Sequence, residues 1–250
     1  MTVGIAIDIR EKRYPARDSH DGVTALSGFQ TRIEAGAFCA LVGPSGCGKS
    51  TLLNIIAGLD RDFSGNVSLD AGPGAPPRIG YAFQNPRLLP WRTVRQNVAL
   101  VMPRDVARAK LERLLDEVGL ADAAHVYPAR LSGGTARRAA LARALAIMPD
   151  LVLLDEPFVS LDAAAANQLR GLLIRLVSAR PMTVVFVTHN PDEAVALADQ
   201  ILFLSPAPGR VIAEMPIGVT RDQRRDPAVL TMLQTEAARL GKRALEARQT

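Results

Sequence analysis

Cysteine is scarce: the 250 residues contain two, Cys39 and Cys47. Neither has a Cys or His partner at metal-ligand spacing, so no disulfide framework or zinc site is implied, and both read as small packing residues. No apolar run reaches the roughly 18 residues of a spanning helix. The opening Met1 to Arg13 lacks the basic segment and longer apolar stretch of a signal peptide, so a cytoplasmic location is expected. Lysine is scarce too, with four among 30 basic residues. Those 30 are scattered rather than massed, so the formal charge of +5 and pI near 9.7 read as a solvated arginine-rich surface, with no nucleic-acid partner.

What is present is an ordinary globular composition, 48% hydrophobic and 22% charged, sufficient for one core or a core with a subdomain. One of the four lysines lies in Gly43 to Ser50, G-P-S-G-C-G-K-S, which fits G-x-x-x-x-G-K-[ST] at every fixed position. A triphosphate carries several negative charges, and glycines let consecutive backbone N–H groups close around its oxygens. Lys49 can reach the outer phosphates and Ser50 can offer a hydroxyl to Mg²⁺. The helix starting at Thr51 points its positive end at the anion. The apolar run Ala40 to Val42 before the loop and T-L-L-N-I-I-A-G-L after it supply the strand-loop-helix setting that the motif needs.

Strands are expected over residues 3–9, 37–42, 66–69 and 79–83, a helix over 51–58 and a loop over 71–78. From Val94 to Ala146 the pattern is helical almost throughout, including Asp105 to Val118 with apolar Val106, Leu111, Leu114, Leu115 and Val118. This block looks inserted into an α/β core, which resumes with apolar runs at Leu151 to Leu154 and Thr183 to Val187 flanking a helix over Gln168 to Ala179.

Ligands of doubly wound sheets bind at the carboxyl ends of strands, where Asp155, Glu156 and Pro157 follow the first of these runs. Asp155 can hold Mg²⁺ through water and Glu156 can act as general base toward an attacking water. His189 stands 33 residues beyond Glu156, at the end of the next strand, suited to a polar contact near the γ-phosphate. Leu131-Ser132-Gly133-Gly134-Thr135 leads into a second helix with the makings of an anion site: Ser132 as N-cap, two glycines and the helix dipole. One chain with two phosphate cradles suggests that the second serves a nucleotide held by another copy.

Together these segments resemble the ATP-binding subunit of an ABC transporter over nearly the whole chain, and within that family the nitrate, sulfonate and taurine importer group. The resemblance implies a P-loop NTPase (RecA-like) α/β core with an antiparallel β edge and an inserted α-helical subdomain. It assigns Gly43, Pro44, Ser45, Gly46, Cys47, Gly48, Lys49, Ser50 and Thr51 to the Walker A loop, and Gln84 to the Q-loop glutamine that contacts Mg²⁺ and senses the membrane partner. Ser132, Gly133 and Gly134 match the signature motif that completes the opposite site of a head-to-tail dimer. Asp155 and Glu156 match Walker B, Asp162 belongs to the D-loop, and His189 matches the switch histidine. Lys49, Gln84, Glu156 and His189 thus carry catalysis, and Ser50, Gln84 and Asp155 the metal. Tyr14 is the aromatic assigned to stack on adenine, with His20 as its rival.

The group-level likeness rests on K-R-Y-P-A-R, L-L-P-W-R-T-V-R-Q-N-V, T-H-N-P-D-E-A-V-A-L-A-D and S-P-A-P-G-R-V. It implies ATP and Mg²⁺ as cofactors, with a second ATP-binding subunit, permease subunits and, indirectly, a solute-binding protein as partners, on the inner face of the cell membrane. Pro90 and Trp91 either line a groove for a short permease helix or pack locally. The chain departs from the family pattern at Thr135 and Ala136 after the signature glycines, at Arg130 before Leu131, and at Ala165 and Ala166 after the D-loop. A non-hydrolysing or heterodimeric partner subunit is therefore the alternative, beside a soluble ABC ATPase outside transport. The expected organisation is one ABC domain over 1–250: core at 1–87 and 147–220, helical subdomain at about 88–146, and a C-terminal helical tail at 221–250, which packs on the core or serves as a membrane-surface or regulatory helix.

Overall fold

The computed structural model describes residues 2–15, 22–72, 75–103 and 108–247. His20, Asp105 and Val106, singled out above, lie outside them. The strands in chain order are β1 (Gly4–Tyr14), β2 (Val23–Ile33), β3 (Phe38–Val42), β4 (Ser64–Asp70), β5 (Ile79–Ala82), β6 (Leu151–Asp155), β7 (Thr183–Thr188), β8 (Gln200–Leu204) and β9 (Val211–Pro216). The α-helices are α1 (Lys49–Ile56), α2 (Val94–Ala99), α3 (Arg108–Glu117), α4 (Gly133–Ala146), α5 (Ala163–Ala179), α6 (Pro191–Leu197) and α7 (Pro227–Glu246). They group into two compact units: one comprises residues 75–182 with 1–2, the other residues 3–74 with 183–250.

In the second unit, β1 pairs antiparallel with β2 and β4, while β7, β3 and β8 run parallel and β9 returns antiparallel along β8. Every residue of β3 and β7 is buried, as unbroken apolar runs require when both faces of a strand are covered. In β1, Ile5, Ile7 and Ile9 point inward at period two. The register then shifts against β4 between Ile9 and Glu11, and against β2 between Lys12 and Arg13. Inward orientation resumes at Lys12 rather than Glu11, because a bulge changes the parity of the strand. Helix α7 begins under an Asp226 N-cap, buries Leu233, Ala237, Leu240 and Ala244, and packs on α6 and β8.

In the unit of residues 75–182, β5 and β6 pair in parallel and α4 packs on β5. Helix α3 buries Leu111, Leu114 and Leu115, and Val118 is buried just beyond it. The expected near-continuous helix over 94–146 is broken: turns and a 3-10 segment, Pro128–Arg130, separate α3 from α4. Gly119, at φ 66, stops α3 in the left-handed conformation, an ordinary glycine helix end. Helix α5 starts at Ala163 rather than Gln168, since Asp162 accepts from Ala165 N at 2.8 Å and caps it earlier than apolar periodicity suggests. Strand β2 lay outside the expected elements; Thr24, Ser27, Gln30 and Thr31 interrupt its apolar pattern, and only pairing with β1 reveals it.

Candidate functional site

The phosphate loop leaves β3 at Val42 and enters α1 at Lys49. Gly46 and Gly48 carry φ of 80 and 95, and the loop curls so that Lys49 Nζ donates to the carbonyls of Gly43 and Pro44, both at 2.8 Å. A fixed positive charge is thereby held inside the loop. Helices α2, α4, α5, α6 and α7 each begin under a side-chain cap, whereas α1 begins at Gly48 without one. Uncapped first-turn N–H groups beside an ammonium fit a multiply charged phosphate. Cys47 is buried beneath the loop; burial pushes its thiol up, with Lys49 pulling the other way, so it packs rather than reacts.

Gly43 N donates to Thr188 O at 3.4 Å, which ties the loop to the end of β7. His189 follows, and it lines one cavity of about 520 Å³ together with Gly43, Pro44 and residues of α7. On the other flank, Tyr14 at the end of β1 shares a 3.2 Å hydrogen bond with Thr51 in α1. Gly209 escaped the sequence reading. Its N–H donates to Ala25 O at 2.9 Å, its carbonyl accepts from Ser27 N at 3.2 Å, and a Cβ there would collide with Cys47 O. It braces the phosphate loop from behind, and its one sequence signal was its place in S-P-A-P-G-R.

In the unit of residues 75–182, Asp155 ends β6 and Glu156 follows at φ 45, a conformation that costs a non-glycine residue roughly 1–3 kcal/mol. Arg137 from α4 donates to the carbonyl of Glu156 at 3.2 Å and so helps hold that backbone. Exposed Gln84 lies in the turn after β5. The backbone just beyond it is fastened by Arg143, which donates to Arg87 O at 2.7 Å and Pro86 O at 2.8 Å, while Arg87 covers the Phe83 ring at 4.1 Å. Neither Arg137 nor Arg143 stood out in an arginine-rich sequence. Ser132 caps α4, accepting from Thr135 N at 3.2 Å, and its Oγ lies 2.8 Å from the Thr135 hydroxyl. Asp162 is the N-cap of α5. Among the described residues no cluster of three or more His, Cys, Asp or Glu side chains forms a metal cage.

The family model described as ABC transporter matches residues 26–159, from β2 through the residues that follow Glu156. The chain belongs to the ABC transporter family. As an ABC ATPase it binds ATP and hydrolyses it, and its fold is the P-loop NTPase core with an antiparallel β edge and an inserted helical subdomain. It is 48% identical over 234 residues to the aliphatic sulfonates import ATP-binding protein SsuB 2 of Burkholderia cenocepacia (strain HI2424), an alignment covering 91% of this chain and 86% of that one. To the protein of the same name from Pseudomonas syringae pv. tomato (strain ATCC BAA-871 / DC3000) it is 41% identical, with 88% of this chain and 93% of the other covered. Among solved structures, the dimeric post-hydrolysis state of the ATP-binding cassette MJ0796, bound to ADP and Pi, superposes with a TM-score of 0.73 at 29% identity, covering 86% of this chain and 100% of that one.

For this ABC ATPase, then, one unit brings together the phosphate loop, His189 and Tyr14, and the other carries Gln84, Ser132 to Gly134, Asp155, Glu156 and Asp162. No helix is long and apolar enough to cross a membrane among the described residues.

Proposed function

We propose that this chain is the motor subunit of an importer for a small anionic solute of the sulfonate type, which passes through separate membrane subunits fed by a solute-binding protein. The observation that carries this reading is the 48% identity, over 91% of the chain, to a protein whose name states sulfonate import and ATP binding. The chain acts as one ABC domain, with a core of 1–87 and 147–220, a helical subdomain of about 88–146 and a tail of 221–250, at the inner face of the cell membrane.

Residues 43–51 bind the phosphates of ATP, with Lys49 neutralising charge and Ser50 contributing a hydroxyl. The oxygen donors of Ser50, Gln84 and Asp155 suit Mg²⁺, which neutralises phosphate charge when bound and takes few protein ligands. Glu156 draws the proton from the attacking water, and His189 steadies charge on the γ-phosphate. Ser132, Gly133, Gly134 and the D-loop residue Asp162 act on the nucleotide of a second copy.

Thr135, the departure in the signature motif, leaves room for this role. Its N–H already occupies one lone pair of Ser132 Oγ, and when its hydroxyl donates as well the second is filled. The Ser132 hydrogen is then left to point outward toward an acceptor such as a phosphate oxygen. ATP closes two subunits because it binds the closed pair more tightly than the open one, and hydrolysis reopens them.

The test is light scattering on the purified chain during size-exclusion chromatography, with and without a non-hydrolysed ATP analogue and Mg²⁺, beside phosphate release from ATP. A nucleotide-dependent doubling of mass together with hydrolysis is expected. A chain that binds the analogue yet neither pairs nor releases phosphate, even with its permease, would be a non-hydrolysing partner subunit.

Trp91 is the second point to test. It is 69% exposed, in a loop pinned by buried Asn97, which accepts from Leu89 N at 2.8 Å and donates to the carbonyls of Leu89, Arg92 and Thr93. A large aromatic held outward on a rigid loop is the chemistry of an interface anchor. In vesicles reconstituted with the permease, Trp91→Ala is expected to lower permease-stimulated ATPase activity about tenfold, with ATP affinity intact. A parallel fall in ATP affinity would make Trp91 a packing residue.

A further inference from the structure

Lys12 is a buried cation that the nucleotide chemistry above does not use. Only 3% of its side chain is exposed, and the β1 bulge turns it inward. Its ammonium donates to Asp60 Oδ1 at 2.9 Å and Asp62 O at 2.6 Å, lies 3.5 Å from Asp62 Oδ2, and stands 4.6 Å from the centroid of the Tyr14 ring. The Tyr14 hydroxyl donates to Asp60 Oδ2 at 3.3 Å and meets Thr51 Oγ1 at 3.2 Å. A carboxylate only accepts, so the chain of bonds runs from the Thr51 hydroxyl to the Tyr14 hydroxyl to Asp60, with Lys12 donating to Asp60 from the other side.

We infer that Lys12 and Asp60 are positioning residues that hold Tyr14 as a one-faced platform for the purine ring of the nucleotide, and that Thr51 links this platform to the phosphate loop. The inference rests on the reading of Tyr14 as the base-stacking aromatic.

An ammonium on one ring face is favourable and leaves the opposite face for stacking. Tyr14 remains 39% exposed, so the ring is open to a partner. A solvent-exposed tyrosine at a strand end would lose side-chain freedom on binding a base, and anchoring at its hydroxyl and under its ring removes that cost in advance. Burial works against the charge of Lys12, but the hydrogen bond and charge of Asp60, helped by Asp62 and Tyr14, outweigh it and hold the ammonium above the ordinary lysine value. The cation therefore persists throughout the neutral range.

Calorimetric titration of wild type, Tyr14→Ala, Tyr14→Phe, Lys12→Met and Asp60→Asn with Mg·ATP, and separately with Mg·tripolyphosphate, tests this. Tripolyphosphate offers the loop its phosphates without a base. Tyr14→Ala is expected to weaken ATP about tenfold, and Lys12→Met and Asp60→Asn each about three- to tenfold. Tripolyphosphate affinity should stay within about twofold throughout. Tyr14→Phe keeps the ring but loses both hydroxyl anchors, so it carries the test if Lys12→Met does not fold; a loss of several-fold for ATP alone is expected.

Four outcomes overturn one idea or the other. If Tyr14→Ala leaves ATP affinity unchanged, Tyr14 is not the platform and the inference falls with that assignment. If Tyr14→Ala weakens ATP while Lys12→Met and Asp60→Asn do not, the platform stands and the positioning role fails. If folded Lys12→Met and Asp60→Asn lose ATP and tripolyphosphate equally, the cluster is a strut of the phosphate loop. If Lys12→Met does not fold and Tyr14→Phe binds ATP as wild type does, anchoring is unnecessary and the inference fails.

Discussion

Glu156→Gln is expected to lower phosphate release by about 10²- to 10⁴-fold, equivalent to about 3–5 kcal/mol of transition-state stabilisation, while leaving ATP affinity near the wild-type value. The substitution preserves size and removes basicity. Glu156 sits immediately after β6, at φ 45, and its carbonyl is held by Arg137, so the backbone that aims it should survive. With binding intact and the base gone, the nucleotide-bound pair should persist, and light scattering should find it as a long-lived dimer with ATP itself. Phosphate release within about twofold of wild type would remove Glu156 from the role of base.

Gly48→Ala is expected to be the most damaging small substitution in the phosphate loop. At φ 95 an alanine is strained, and its Cβ would lie 2.6 Å from Ala25 O and 2.7 Å from Leu26 Cδ2. Neither neighbour can easily give way, because Leu26 is fully buried and Ala25 O accepts from Gly209 N. Strain and overpacking together cost roughly 3–5 kcal/mol. Relief must come from the start of α1, where Lys49 and the uncapped N–H groups are, so ATP binding should be lost as well. Gly46→Ala provides the control: φ is 80, but nothing lies within 4 Å of the added carbon, so only the backbone cost of about 1–2 kcal/mol applies. Urea denaturation of both variants separates the two contributions. Equal losses would mean that backbone conformation alone, without the press of β2, makes the demand.

Helix α7 also bears on the reading of the tail. Its apolar stripe at Leu233, Ala237, Leu240 and Ala244 is spent against α6 and β8, so packing, rather than a free membrane-surface helix, accounts for that face.

Elements whose residues solve a local problem were legible from the sequence. The buried strands β3, β6 and β7 announce themselves as unbroken apolar runs, because a strand covered on both faces has no outward positions to mark with polar residues. The phosphate loop is legible because close approach to an anion needs glycines at fixed spacing, and Ser132 because an N-cap bonds three residues ahead. Spacing likewise placed Asp155 and Glu156 at the end of β6 and His189 at the end of β7.

Elements that depend on a distant partner were not legible. Strand β2 mixes polar and apolar residues and is defined by its register with β1. Lys12, at a charged position by alternation, became buried because a bulge between Ile9 and Glu11 inverted the parity of the strand, and a bulge belongs to a pair of strands rather than to one. Gly209 carries no local signal of its role, which lies in its close approach to the carbonyl of Cys47. Arg137 and Arg143 were two arginines among many until each was seen to fasten a backbone carbonyl in the loop it serves. By itself, then, the sequence determined the family, the pattern of the phosphate loop and the buried strands, all written in contiguous spacing. The tertiary structure decided which charged and small residues hold those groups in place, because that depends on side chains meeting backbone far away in the chain.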